Sequence, residues 1–83
     1  MIVTIKFFAS LRDVTGFDEL KHEFEGSNLA ELIDSLEQAL TDEAYEKITT
    51  KNVKVALNQE LIDGSAVVSD GDEIAFLPPV TGG

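Results

Sequence analysis

Residues 2–9, IVTIKFFA, alternate between two faces: Val3, Ile5 and Phe7 on one, Ile2, Thr4, Lys6 and Phe8 on the other. The first set reads as the core face of a strand, which leaves Phe8 on the opposite side with Lys6. SLRDVTG follows as a connector of about one helical turn closed by Gly16. FDELKHEF, residues 17–24, predicts a second strand with Leu20, His22 and Phe24 on one face and Glu19, Lys21 and Glu23 on the other. Two strands joined so briefly predict an antiparallel hairpin.

The period then changes. Leu29, Leu32, Ile33, Leu36 and Leu40 form one apolar stripe at helical spacing, with Asn28 as N-cap and Glu31 completing a capping box. DEAYEKITT predicts a second, short helix carrying Tyr45 and Ile48. NVKVAL predicts a third strand, with Val53, Val55 and Leu57 inward and Lys54, Ala56 and Asn58 outward. A brief strand is expected around Leu61–Ile62. An Asp70-Gly71 turn feeds a last strand, in which Ile74 and Phe76 oppose Ala75 and Leu77. A hairpin, a crossover helix and returning strands make an α+β domain of the ubiquitin-like β-grasp type, a mixed sheet covered on one face by one main helix. In that plan the first and last strands lie side by side and parallel. Residues 1–77 are read as the domain and 78–83 as an extended tail.

Composition narrows what such a domain can do. The chain has 83 residues and a net charge of −10. Nucleic acid and anionic membrane both need a cationic face, so neither is an expected partner, and a protein with a basic docking surface is. There is no cysteine, hence no disulfide, thiolate metal site or cysteine nucleophile. No apolar run reaches the ~20 residues of a membrane span, and the opening segment reads as a strand rather than a signal peptide, so a cytoplasmic protein is expected. Neither GxxxxGK[ST] nor GxGxxG occurs. The single histidine, His22, sits mid-strand among apolar neighbours and reads as structural. Asp70 and Asp72 lack the spacing of an EF-hand loop and read as a turn. No standalone active site and no bound cofactor are expected.

Two features carry chemistry. Pro78 and Pro79 fix φ and offer no N–H, so they end the sheet ladder and send the chain on extended. Val80 and Thr81 are β-branched and keep it so. Gly82 and Gly83 have no side chain, which lets backbone thread a narrow tunnel and leaves the terminal carbonyl open to attack. The second feature is a predicted exposed apolar patch of Phe8, Ala56, Ala75 and Leu77, joined by Leu61, beside that tail. Contiguous apolar surface of this kind suits protein docking.

Through FFASLRD, VALNQEL and above all DGDEIAFLPPVTGG, the chain resembles the small subunit of molybdopterin synthase, a ubiquitin-like sulfur carrier. The resemblance implies that an adenylating enzyme of the ubiquitin-activating type uses ATP to join the Gly83 carboxylate to AMP. A sulfur donor then makes the thiocarboxylate, and the large synthase subunit receives the tail for attack on a pyranopterin precursor. It implies that Gly83 carries the sulfur and Gly82 gives access. Phe8, Leu61 and Leu77 match the docking patch, and Pro78 to Thr81 match the segment lying in the partner's groove. Leu77 stands where phenylalanine is common in relatives. Two alternatives share the architecture: a ubiquitin-like modifier joined through Gly83 to lysine, and a sulfur carrier for thiamine or tRNA thiolation.

Overall fold

The computed structural model describes residues 1–79. Its elements in chain order are β1 (Ile2–Phe7), α1 (Ser10–Thr15), β2 (Glu19–Glu23), α2 (Leu29–Ser35), α3 (Asp42–Ile48), β3 (Lys54–Leu57), β4 (Glu60–Leu61) and β5 (Glu73–Leu77). A 3-10 turn, Leu36–Gln38, follows α2. The five strands form one sheet in the order β2-β1-β5-β3-β4. β1 pairs antiparallel with β2 and parallel with β5, and β5 pairs antiparallel with β3. The first and last strands are thus central neighbours, as the β-grasp plan requires.

Alternation along the strands divides the sheet into a covered and an open face. Val3, Ile5, Phe7, Ile74 and Phe76 are buried with Leu29, Leu32 and Leu36 in a single core. Phe7 and Phe76, paired across the two central strands, stack with ring centroids 5.6 Å apart. Val53, Val55 and Leu57 pack partly buried against the same core, on the expected face.

The helix is shorter than its apolar stripe. The expected single helix through Leu40 narrows after Ser35 into the 3-10 turn, although Leu36 and Leu40 remain buried. Ser35 lies at this transition, and its Oγ donates to the Leu32 carbonyl at 2.6 Å, a back-bond that competes with regular helix continuation. At the other end every early N–H is occupied. Leu29 N–H donates to Ala66 O, Ala30 N–H to Gly64 O, and Glu31 N–H to Asn28 Oδ1 at 2.9 Å. Glu31 Oε1 accepts from Ser27 N–H at 3.0 Å, which carries the capping interaction one residue ahead of Asn28. That contact holds the Glu31 carboxyl below its usual value.

The turns are tight. Gly16 closes α1 with φ 81°, a left-handed conformation that suits glycine, and its N–H donates to Arg12 O. Thr41 caps the start of α3, its hydroxyl accepting from Ala44 N–H. Asp70 and Asp72 serve the backbone as expected of a turn: Asp70 Oδ1 accepts from Ile2 N–H at 2.7 Å and Asp72 Oδ2 from Ser69 N–H at 2.7 Å. Among the described residues no helix is long and apolar enough to cross a membrane.

Candidate docking face

The open face of the sheet is organised in rows. Cross-strand pairing sets Lys6 beside Ala75, Ala75 beside Ala56 and Ala56 beside Leu61. In the next row towards the end of β5, Leu77 lies opposite Lys54, and Phe8 follows Phe7 beyond the last β1–β5 pair, its N–H donating to Phe76 O at 3.2 Å. Phe8 and Leu61 are exposed, at 43% and 65%, and Leu77 is half-buried.

Ala56 and Ala75 depart from expectation. Both lie on the open face, yet they are only 6% and 7% exposed. Their methyl groups are too short to rise past the longer side chains of the adjoining rows. They form the floor of a depression of about 450 Å³, not part of its exposed rim. Phe8, Leu61 and Leu77 form its apolar wall. Lys6 and Glu73, joined at 3.0 Å, form a charged one. The hydrogen bond from Lys6 to Glu73 raises the ammonium above its ordinary value. A second hollow, of about 490 Å³, shares Leu61 and Leu77 and runs on to Pro78 and Pro79 past Asn52 and Lys54. The two hollows make one path from Phe8 across the sheet to the point where β5 gives way to the two prolines. Pro78 is half-buried and Pro79 exposed. Val80, Thr81, Gly82 and Gly83 lie outside the described residues.

Charge is distributed unevenly. Of the basic residues, Lys6, Lys21 and Lys54 share the open face, where pairing also puts Glu19, Glu23 and Glu73. The face is therefore close to balanced, and the net −10 of the chain resides elsewhere. The partner's basic surface, expected from the total, has no counterpart in an acidic docking face. Gln59, which also lines the first depression, has no apolar periodicity to mark it. Its place follows from the two-residue turn joining β3 to β4, where Asn58 and Gln59 both adopt positive φ.

His22 takes a structural place on the covered side. Its Nε2 lies 2.8 Å from Ser35 Oγ, and its ring stacks on Phe24 at 6.3 Å. The Ser35 proton is engaged with Leu32 O, so Ser35 Oγ accepts from Nε2–H and the pair is not a base–nucleophile arrangement. Burial pushes the imidazole below its ordinary value.

With this geometry in place, likeness to known proteins becomes informative. The chain is 34% identical over 82 residues to the molybdopterin synthase sulfur carrier subunit of Haemophilus influenzae, covering 99% of this chain and 100% of that one. A chain in the protein–protein complex of subunits 1 and 2 of the molybdopterin-converting factor from Helicobacter pylori superposes with a TM-score of 0.69 at 30% identity, over 100% of both chains. SAMP1 from Haloferax volcanii superposes with a TM-score of 0.83 at 24% identity, also over 100% of both, which bears on fold alone. The profile of the ThiS family matches residues 5–83, and the chain belongs to that family.

Proposed function

We propose that this protein is a sulfur carrier that serves as the small subunit of a molybdopterin synthase. The observation that carries the reading is the full-length likeness to sulfur carrier subunits, combined with an apolar path that ends at Pro78 and Pro79. A carrier must present a reactive end to several proteins in turn. A rigid docking face placed beside the root of the tail does this, because binding the face sets where the tail goes.

The chemistry asks little of the domain's side chains. The Gly83 carboxylate is a poor acyl donor at neutral pH. Joining it to AMP on an ATP-dependent adenylyltransferase of the ubiquitin-activating type creates a mixed anhydride with a good leaving group. Sulfur delivered at the sulfide level by a donor system attacks the carbonyl, the carbonyl–phosphate oxygen bond breaks, AMP departs with the electron pair, and the thiocarboxylate results. Gly82 keeps the approach open on both occasions. The large subunit then accepts the loaded tail, and the thiocarboxylate sulfur attacks the pyranopterin precursor towards the dithiolene; water cleaves the acyl–sulfur bond, which leaves the sulfur on the precursor and returns Gly83 as a carboxylate. Phe8, Leu61 and Leu77 dock, with Ala56 and Ala75 as the floor beneath them, and Pro78 to Thr81 occupy the partner's groove.

Intact-mass measurement of the protein purified from its own host tests the proposal. Replacement of one oxygen by sulfur at the end of the chain is expected. Recovery solely as lysine-linked conjugates on other proteins would favour a ubiquitin-like modifier instead.

A further inference from the structure

The residue after Phe8 is strained. Ala9 has φ 51° and ψ −126°, the first central position of a type II′ turn, a place that suits glycine. The turn spans Phe8 to Leu11 and is closed by Leu11 N–H donating to Phe8 O at 3.1 Å. Arg12 N–H then donates to Ala9 O at 3.1 Å. With Phe8 N–H on Phe76 O, these bonds over-determine the backbone and hold Ala9 in a conformation that its Cβ opposes. The Asn58–Gln59 turn, also at positive φ, lies in a hairpin, where left-handed residues are usual.

Those bonds account for the turn, but not for an alanine rather than a glycine at its strained position. Ala9 is exposed and is not among the residues packed in the core. Glycine would allow the same turn without the opposing Cβ. The methyl also directly follows Phe8, the exposed aromatic that walls the docking depression. From this juxtaposition, and resting on the docking role proposed for Phe8, we infer that Ala9 is a docking residue whose methyl group makes its contact only in the complex with the large subunit. The free carrier bears the strain, and the bound one gains the apolar contact that justifies an alanine there.

The test compares variants of the full-length protein by thermal melting and by titration calorimetry with the large subunit from the same organism. Ala9→Gly is expected to raise Tm by about 4 °C while raising Kd about fourfold, the value of one buried methyl group. Ala9→Ser, which keeps the Cβ, is expected to bind close to wild type. D-alanine at position 9, installed by chemical synthesis, relieves the strain but turns the methyl away, and is expected to lose affinity as glycine does. Wild-type affinity for the glycine or D-alanine protein, or no rise in Tm for glycine, overturns the inference. Phe8→Asp in the same series separates the two levels. If it binds poorly while Ala9→Gly binds normally, the docking face stands and the role of Ala9 falls; if Phe8→Asp itself binds normally, both fall.

Discussion

A phenylalanine kept in water on a sheet whose other face holds the core needs a reason beyond folding. Phe8 adds little to that core, whereas its neighbour Phe7 is almost wholly buried against Phe76. Phe8→Asp should therefore weaken binding of the proposed large-subunit partner by at least about tenfold, in the range of an interface anchor, with little change in melting temperature. A large loss of stability would instead place Phe8 in the core. His22 supports a prediction of a different kind. Burial lowers its pKa in the folded state, so the unfolded chain binds the proton more readily. Its contribution to stability is then whole above the unfolded value of about 6.5 and is lost as pH falls through the folded value. Thermal melts at about pH 7.5 and about pH 5, bracketing the imidazole titration, should show a smaller acid-induced loss for His22→Gln than for wild type. Glu31 and Asp63, also held below their ordinary values, remain in both proteins and cancel in the comparison.

At the scale of elements, the strands and caps were legible because each is written locally. The alternation of Val3, Ile5 and Phe7 and of Ile74 and Phe76 gave the right faces, and Asn28 and Gly16 mark the helix ends they cap. Asn28→Ala should destabilise the fold by about 1 kcal/mol, measured by chemical denaturation, since Glu31 N–H loses its acceptor. The narrowing after Ser35 was not legible. The apolar stripe keeps helical spacing through Leu40, and the change depends on which acceptor the Ser35 hydroxyl chooses. The strain at Ala9 was equally silent, because alanine carries no turn signal; a glycine there would have announced the turn.

For the molecule as a whole, the proposed activity separates from stability along the chain. Removing Gly83, or adding one residue after it, should abolish thiocarboxylate formation in a reconstituted adenylation and sulfur-transfer reaction, while the melting temperature stays near wild type. A loaded product from either variant would refute the tail's role. The sequence by itself determined the β-grasp order, the two faces of the sheet and the residue types on which the proposed carrier chemistry rests. Periodicity, capping and a double glycine are properties of neighbouring residues. What only the tertiary structure decided was how exposed each open-face residue is. Ala56 and Ala75 share their face with Leu61 and Leu77, as the period requires, yet pairing across three strands sinks them to a floor. The same pairing gathers lysines and glutamates into a nearly neutral face on a strongly acidic protein. Alternation reports direction, but exposure and local charge depend on the side chains that a sheet brings alongside from distant parts of the chain.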